Sequence, residues 1–412
     1  MTKDRFWFFL ITLGALFPLV ACGSKATPTT EMGPTTEVTA TKSTEVEATP
    51  TSAEARPTLA PEGEDEVEPN NGPGQATEIS MGQFAGILGE DDQDWYKFEV
   101  PNGHLLNVAF TPDEDAESMT VSLLDPDQDE IWYEGGIGPT VTKQVSKLMS
   151  SSSGGTYYVG VQYGTGGYNL ELSSQSQNDA DSGGDAGDEV VDALEVESDR
   201  VLSGRIGDFD EKDWYKFDVA NGHLLNVAFT PDKDAESMTV SLLDPDQNEI
   251  WYEGGIGPTV TKQVSKLMSS SSGGVYYVGV QYGNGGYSLE LSSQSQNDAD
   301  SGGDAGDEEV DALEVGTDLT FSGQIGDFDE EDWYWFIPKV GQTVNFSPDE
   351  DAESMTVSLL DPDQNEIWYE GSIGPGMTKT FEFGQDVLSG FEGERYYIRV
   401  VYGSGSYSVE IK

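Results

Sequence analysis

The feature that most constrains this chain is a long internal repeat. The tripeptide Asp-Trp-Tyr occurs at residues 94–96, 213–215 and 332–334, at a constant interval of 119 residues. The first two copies are nearly identical up to residue 308, whereas the third has diverged. A fixed period of this length predicts three tandem copies of one domain, each with its own core.

Within each copy, apolar residues alternate with polar ones, and no helical periodicity is present. In the first copy the alternating apolar sets are Tyr96, Phe98 and Val100; Leu106, Val108 and Phe110; Met119, Val121 and Leu123; Ile131 and Tyr133; Tyr157, Val159, Val161 and Tyr163; and Tyr168, Leu170 and Leu172. The pattern predicts an all-β chain of three tandem antiparallel β-sandwiches, each with about six to eight short strands in roughly 110 residues. Domains of this size can bury a sufficient core alone, so we expect them to fold independently.

The N-terminus has the parts of a bacterial lipoprotein signal peptide. Lys3 and Arg5 precede an apolar stretch over residues 6–20, and residues 19–23, Leu-Val-Ala-Cys-Gly, resemble a lipobox. We therefore predict a signal peptide over residues 1–21 and a lipid anchor on Cys22; the alternative is an incidental cysteine in an ordinary signal peptide. Cys22 is the only cysteine, which excludes an intrachain disulfide. The expected location is the cell envelope, anchored to a membrane and exposed on the extracytoplasmic side.

Residues 22–61 have the composition of a disordered segment. They are rich in Thr, Pro, Glu, Ala and Ser and contain few apolar residues. Such a segment has too little to bury to offset the entropy of ordering. It is predicted to be a stalk that holds the folded part away from the membrane.

The chain is strongly acidic, with 76 Asp and Glu against 20 Lys and Arg and a net charge of −56. This excludes nucleic acid as a natural partner, because phosphates are neutralised by Lys and Arg. It also disfavours adsorption to anionic lipid. Two interpretations of the acidity stay open: carboxylates that hold divalent cations, or general solubility and adaptation to high salt.

Several motifs resemble the bacterial pre-peptidase C-terminal domain family. In the first copy the matching residues are Glu68-Pro69-Asn70-Asn71, Ala76, Gly86-Ile87, Asp91, Asp92, Asp94, Tyr96-Lys97-Phe98, Leu123 to Asp127, Tyr157-Tyr158-Val159 and Tyr168-Asn169-Leu170. The second and third copies keep most of these but lack Glu-Pro-Asn-Asn. The resemblance implies jelly-roll or immunoglobulin-like sandwiches over residues 62–174, 178–293 and 297–412. Members of this family are typically appended to secreted proteases and other exported proteins.

The resemblance also implies a Ca²⁺ site, because relatives that bind collagen hold Ca²⁺ between the N-terminal segment of the domain and the acidic start of an early strand. The residues that would carry it are Glu68, Asn70, Asn71, Asp92 and Asp94 in copy one, Asp185, Asp188, Asp210 and Asp213 in copy two, and Asp304, Asp307, Asp329 and Asp332 in copy three. Ca²⁺ takes six to eight oxygen ligands, which suits such clusters. The alternative is a solvated acidic loop. Residues 178–183 resemble the start of a helix-loop-helix calcium loop but lack its later acids, so that interpretation is rejected.

The sequence does not support catalysis. The two histidines, His104 and His223, are the same repeat position, and Gln342 replaces them in the third copy. No nucleophile motif and no phosphate-binding loop is present. Paired carboxylates are abundant enough for a glycosidase, but domains of this size offer little cleft. We predict no catalytic residues and no enzymatic activity.

The tryptophans are the other candidates for a binding role. Trp95 shares a strand face with Lys97 and Glu99, and the pattern therefore places it on the polar side. The same argument covers six residues: Trp95, Trp214, Trp333, Trp132, Trp251 and Trp368. Exposed aromatic rings can stack on sugars or contact an extended protein strand. The alternative is that they pack against a neighbouring strand or the N-terminal segment.

Together these features predict a non-catalytic, monomeric, lipid-anchored surface protein. Its repeated domains would bind an extracellular polysaccharide or protein and carry Ca²⁺ sites. Repetition would give avidity from weak individual sites. Two alternatives stay open: a structural spacer without a ligand, and an accessory subunit of a separately encoded secreted protease or hydrolase.

Overall fold

The structure, a computed structural model, describes residues 68–412. The predicted signal peptide, the lipidation site Cys22 and the predicted stalk lie outside the described residues. Between residues 68 and 412 the chain is nearly all strand, with short 3-10 helices and a single four-residue α-helix, α1 (Gln385–Leu388). In this part of the chain no helix is long and apolar enough to cross a membrane.

Three sets of nine strands follow one another along the described chain. Domain 1 contains β1 (Thr77–Glu78), β2 (Gly82–Leu88), β3 (Gln93–Val100), β4 (His104–Pro112), β5 (Met119–Leu124), β6 (Glu130–Ile137), β7 (Lys143–Leu148), β8 (Gly155–Gln162) and β9 (Gly166–Ser176). Domain 2 contains β10 (Leu194–Glu195), β11 (Arg200–Ile206), β12 (Lys212–Val219), β13 (His223–Pro231), β14 (Met238–Leu243), β15 (Glu249–Ile256), β16 (Lys262–Leu267), β17 (Gly274–Gln281) and β18 (Gly285–Ser295). Domain 3 contains β19 (Leu313–Glu314), β20 (Leu319–Ile325), β21 (Glu331–Phe336), β22 (Thr343–Pro348), β23 (Met355–Leu360), β24 (Glu366–Ile373), β25 (Lys379–Glu382), β26 (Tyr396–Val401) and β27 (Gly405–Ile411). The 3-10 helices are Pro73–Gln75, Asp179–Asp181, Val190–Asp192, Asp298–Asp300 and Glu309–Asp311.

Each domain is built from a five-stranded and a four-stranded sheet. In domain 1 the strand orders are β1-β3-β8-β5-β6 and β2-β9-β4-β7, and domains 2 and 3 repeat both orders. The pairing is antiparallel except for the two-residue strand β1, which runs parallel to β3. Because the chain passes repeatedly between the two sheets, they pack face to face as a β-sandwich. The predicted all-β fold of three sandwiches is confirmed.

The alternating sets identified in the sequence form most of the core. Tyr96, Phe98 and Val100 of β3 are buried, as are Leu106, Val108 and Phe110 of β4. Nine strands per domain exceed the number expected, because the alternation does not mark β1, β2 and β7. The first of these is only two residues long, and β7, with the sequence Lys-Gln-Val-Ser-Lys-Leu, is mostly polar.

The expected orientation of β6 is wrong from Trp132 onward, although Ile131 packs against the core as expected. Leu123 is fully buried and pairs with Trp132, so Trp132 faces the core and packs against it, while Tyr133 is 54% exposed. The register shifts between Leu123 and Leu124, a β-bulge, which reverses the face predicted by simple alternation. Trp251 and Trp368 pack against their cores in the same way.

The expectation that Trp95 and its equivalents are exposed is also wrong. Trp95 is 6% exposed and lies against Gly160, where a Cβ atom would come within 2.6 Å of the indole ring. Trp214 is half-buried against Gly279 in the same arrangement. In domain 3, Trp333 is 9% exposed and lies beside the Arg399 guanidinium at 5.3 Å. In domains 1 and 2 the glycine opposite the tryptophan lets the ring lie close to the sheet, and in domain 3 the opposite residue is Arg399, whose side chain lies beside the ring. A place on the polar face therefore does not expose the ring.

Neighbouring domains contact each other, although each has a core of its own. The three sandwiches belong to one compact unit. The Phe209 N–H of domain 2 donates to the Leu148 carbonyl of domain 1 at 3.1 Å, and Phe328 donates to Leu267 of domain 2 at the same distance. Neighbouring domains therefore contact each other through equivalent residues of the repeat at both junctions.

A close approach between the sheets provides a test of the packing. A methyl group on Gly204 would lie 2.2 Å from Tyr287 Oη and 2.6 Å from Tyr215 Oη. We therefore expect Gly204→Ala to destabilise domain 2 by about 1–3 kcal/mol, the usual cost of overpacking. Urea unfolding followed by tryptophan fluorescence measures this, with Gly257→Ala, which has open space around the new methyl group, as the control. Equal stability of the two variants would contradict the packing described.

Candidate cation sites

Each sandwich buries an aspartate at the start of its second long strand. Asp94 lies two residues before Tyr96 in β3, and alternation therefore directs its side chain toward the same face as the core. Asp94, Asp213 and Asp332 are all fully buried. A buried carboxylate is costly unless its charge is compensated, so its surroundings decide its role.

Two tyrosines form a hydrogen-bond chain that ends on one oxygen of this aspartate. Tyr168 Oη, from β9 in the opposite sheet, donates to Asp94 Oδ2 at 2.6 Å, and Tyr96 Oη lies 2.7 Å from Tyr168 Oη. Since Tyr168 has a single hydroxyl proton, Tyr96 must be the donor in the second bond. Domain 2 repeats this series of hydrogen bonds with Tyr215, Tyr287 and Asp213. Domain 3 repeats it with Tyr334, Tyr407 and Asp332.

In domain 1 the N-terminal segment folds over the start of β3, as predicted. Oxygens of Glu68, Asp92 and Asp94 lie within 4.8 Å of one another. The Trp95 N–H donates to the Asn70 carbonyl at 3.0 Å, and Asn71 Oδ1 accepts from the Gln93 N–H at 3.3 Å. The predicted residues of this copy therefore lie at one place, although Glu68 and Asn71 are exposed.

In domain 2 the corresponding group is formed by Asp179, Asp185 and Asp213, again within 4.8 Å. Asp179 is 3% exposed, and its Oδ1 accepts from the Arg205 N–H at 3.1 Å. The other predicted residues, Asp188 and Asp210, are not in this group, but their charges act on its members. Asp210 is fully buried.

Domain 3 shows two overlapping groups that share one residue. Asp298, Asp304 and Asp332 form the first, and Asp304, Asp307 and Asp329 form the second. All four residues predicted for this copy thus lie together, with Asp298 as an addition. Asp304 would bridge the two positions if both held a cation.

Sequence reasoning missed Asp179 and Asp298. Both stand in an identical Asn-Asp-Ala-Asp-Ser-Gly segment at the start of a domain, which lacks the later acids of a helix-loop-helix calcium loop. No helix of that kind flanks it among the described residues, yet its first aspartate turns inward. Ala180 has a φ of 51°, and the Asp179 N–H donates to the Gly184 carbonyl at 2.9 Å, so the tight turn directs the side chain toward the site. The signal in the sequence is the identical acidic segment at the start of both domains.

The geometry fits a cation with oxygen ligands. Two oxygens bound to one Ca²⁺ at about 2.4 Å can be at most about 4.8 Å apart, which each group satisfies. Asp213 Oδ1, Asp210 Oδ1 and Asp332 Oδ1 are buried and have no hydrogen-bond partner. Buried polar atoms are normally satisfied, and an ion is one established explanation for those that are not. The acidic clusters of domains 2 and 3 can therefore hold a metal ion.

The same burial shifts the carboxyl groups toward the protonated form. Burial raises the pKa of Asp213 well above its usual range, and the charges of Asp179 and Asp210 raise it further. Burial, followed by the charge of Asp188, raises the pKa of Asp185 to about 6. The pKa values of the equivalent residues in domain 3 move in the same direction, at Asp332, Asp329 and Asp304. A bound cation would remove the repulsion and favour the ionised form.

No family model matches the sequence, and no curated protein matches it. Similar solved structures include the pre-peptidase C-terminal domain of a collagenase from Bacillus anthracis, which is 23% identical, with a TM-score of 0.21, over 25% of this chain and 100% of that one. A triple jelly-roll structure from the turret assembly of an archaeal virus is 10% identical over 80% of this chain and 90% of that one, with a TM-score of 0.17. Tripeptidyl peptidase 2 is 10% identical over 81% and 32%, with a TM-score of 0.18. The similar structures thus include a member of the family that the sequence motifs resemble.

The raised pKa values predict an unusual pH dependence of stability when a chelator has removed divalent cations. A carboxyl whose pKa is higher in the folded than in the unfolded protein adds stability below its unfolded value of 3.8, and loses it as the pH rises through the folded value. The free energy of unfolding should therefore fall between about pH 4 and pH 9 when divalent cations are absent. Saturating Ca²⁺ should flatten this decline, because the cation takes the place of the protons.

Denaturant unfolding across this pH range, with EDTA or with Ca²⁺, makes the measurement. A flat profile in EDTA, or the same decline in both conditions, would contradict the arrangement of charges described above.

Proposed function

We propose that this protein is a non-catalytic, lipid-anchored surface protein whose three pre-peptidase C-terminal-like domains carry Ca²⁺ sites and bind an extracellular polymer or protein. The observation that carries the proposal is the buried aspartate of domains 2 and 3. One of its oxygens is held by tyrosine and the other is unpaired beside further carboxylates. Asp179, Asp185 and Asp213 would hold the ion in domain 2, with Asp188 and Asp210 beside them.

Calcium fits these residues better than other common metals. All members of the groups are Asp or Glu side chains, and none is a histidine or cysteine. Hard oxygen ligands favour Ca²⁺ and Mg²⁺, whereas zinc and copper sites in proteins use nitrogen and sulfur. A cluster of several flexible carboxylates suits the six to eight ligands and variable geometry of Ca²⁺, whereas Mg²⁺ keeps much of its water. An extracellular location would supply Ca²⁺ at the millimolar concentrations that such sites use.

Only the sequence supports the proposed lipid anchor. The lipobox-like residues 19–23 and the stalk over residues 22–61 support attachment to a membrane with the folded domains exposed. The structure describes neither segment. The absence of catalytic motifs in the sequence supports a binding or structural role.

The surface that would contact a polymer differs from the one expected. The tryptophans are buried or half-buried, but Tyr133, Tyr252 and Tyr369 are 54%, 52% and 56% exposed at the same repeat position. Three equivalent exposed tyrosines, one in each domain, would give weak sites that act together. The contacts between neighbouring domains favour a second candidate function, a spacer that carries no ligand.

Replacing Asp213 by Asn tests the cation site. The variant keeps the shape of the side chain and an acceptor for Tyr287 but removes one charge from the cluster. Without a divalent cation it should be more stable than the wild type, because an amide at this buried position neither holds a charge nor has to take up a proton on folding. With Ca²⁺ the order should reverse, since losing a ligand should weaken binding at that domain by on the order of 10-fold or more.

Calorimetric titration with CaCl₂, together with thermal melts in EDTA and in Ca²⁺, measures both effects. Asp246→Asn, at an exposed turn, is the charge-matched control and should change neither the Ca²⁺ affinity nor the melting temperature. If Ca²⁺ does not bind the wild type, or binds the Asp213→Asn variant equally well, the proposed site is wrong.

The tyrosine surface has a separate test. Binding of the wild type to arrays of glycans and matrix proteins should exceed that of the triple variant Tyr133→Ala, Tyr252→Ala and Tyr369→Ala. Because the effect depends on avidity, each single variant should lose less than the triple variant. Calcium affinity should not change. Binding of the wild type to none of these materials would favour the spacer.

A further inference from the structure

The junction between domains 1 and 2 is a repeated, specific interface. The Phe209 ring packs against the core of domain 1, and Asp208 accepts from Lys147 Nζ at 3.0 Å and from the Leu148 N–H at 3.1 Å. At the next junction Phe328 packs against the core of domain 2, and Asp327 accepts from Lys266 and Leu267 at 2.9 and 3.1 Å. The same contacts at two places show that the interface is built into the repeat.

The docking residues and the acidic cluster belong to the same short loop. Asp208 and Phe209 contact domain 1, and the next residue, Asp210, is buried beside the cluster. These three residues lie within the five-residue loop between β11 and β12. A shift of this loop away from domain 1 therefore moves a carboxylate of the cluster as well.

Domain 1 also covers the cluster directly. Gln177, which follows β9, donates from Nε2 to Asp210 Oδ2 at 3.1 Å and to the Met149 carbonyl at 2.8 Å. Ser151 Oγ donates to Asp188 Oδ2 at 2.9 Å. Gly103, at a φ of 62°, lies against Asp185, so that a Cβ atom there would come within 2.9 Å of the Asp185 Cβ. Residues of the preceding domain thus close one side of the site.

The groups that domain 1 presents to the cluster are neutral. An amide, a hydroxyl and a glycine exclude water from the aspartates without balancing their charge. The lysine at the junction, Lys147, pairs with Asp208 instead. Docking therefore buries repelling carboxylates when no cation is present, and a bound cation removes that penalty.

Domain 1 has the acidic group without the junction. Its loop between β2 and β3, residues 89–92, is one residue shorter than the equivalent loops and contains no phenylalanine. Glu68, one member of its group, is exposed. This site therefore serves as an internal reference, because it has no docking residues beside it in its own loop.

We propose that the cation sites of domains 2 and 3 are shared with the preceding domain, so that cation binding and docking of neighbouring domains stabilise each other. The proposal rests on the proposed function, since it requires that the clusters bind Ca²⁺. By thermodynamic linkage, the factor by which Ca²⁺ favours the docked arrangement equals the factor by which docking strengthens Ca²⁺ binding. Loss of the junction therefore weakens the cation site, and loss of the cation loosens the junction.

The experiment measures the distance between domains 1 and 2 in the full chain, solubilised in detergent. Spin labels are attached at Asp127→Cys and Asp246→Cys, two exposed turn positions that are equivalent in the repeat. The distance distribution should be broad in EDTA and narrow to one population when CaCl₂ is added. Calorimetry on the same sample reports whether Ca²⁺ binds.

Phe209→Ala should keep the distribution broad in Ca²⁺ and weaken Ca²⁺ binding at one site by about 5-fold or more. Phe328→Ala, the matched control, should leave the distance between domains 1 and 2 unchanged while weakening one site to the same extent. Asp208→Asn removes the ion pair but keeps the ring, and it should act in the same direction as Phe209→Ala if that variant fails to fold.

The outcomes separate the two proposals. If calorimetry shows Ca²⁺ binding but the distribution does not change, the coupling is wrong and the cation sites stand. If the distribution narrows but Phe209→Ala and Asp208→Asn both bind Ca²⁺ as tightly as the wild type, reciprocal coupling is likewise overturned. Absence of Ca²⁺ binding in every sample would overturn the proposed function itself.

Discussion

A single buried aspartate in each sandwich connects the two sheets, the N-terminal segment and the cation site. Asp213 lies on the core face of β12, and the hydroxyl that holds it comes from Tyr287 on β18 in the other sheet. Tyr215 then donates to Tyr287, so the charge is solvated by two polarised hydroxyls. This accounts for only one oxygen. The other oxygen faces further carboxylates from the start of the domain and from the turn before the strand, so a cation bound among them would compensate the charge of all of them.

The sandwich itself could be predicted from the sequence, because alternation in β3, β4 and β5 identifies the apolar side chains that form the core. Prediction failed where a local event breaks the alternation. In β6, a bulge reverses the faces of Trp132 and Tyr133, and a single sequence carries no clear mark of it. The burial of Trp95 depends on Gly160, which lies on a different strand and far away in the sequence.

The candidate sites were predictable in part for a related reason. Asp94, Asp213 and Asp332 are marked by their place in a strand, and the N-terminal segments by the resemblance to a known family. Asp179 is instead directed inward by a tight turn, which periodicity does not describe. The role of the preceding domain could not be predicted at all, since Gln177 and Asp210 meet only when two sandwiches are docked. Contacts between repeats leave no periodic signal inside one repeat.

The Phe209 and Phe328 rings also bear on how an array of this kind can change its length. Among the described domains, domain 2 alone has both a phenylalanine that docks on its predecessor and the Lys266-Leu267 edge that receives its successor. Domain 1 lacks the phenylalanine, and Phe383 and Gly384 stand in domain 3 where that edge would be. A duplicate of the 119-residue middle unit would therefore fit between its neighbours with every junction contact preserved. Recombination between near-identical repeats can thus lengthen the array by whole units without any new interface having to evolve.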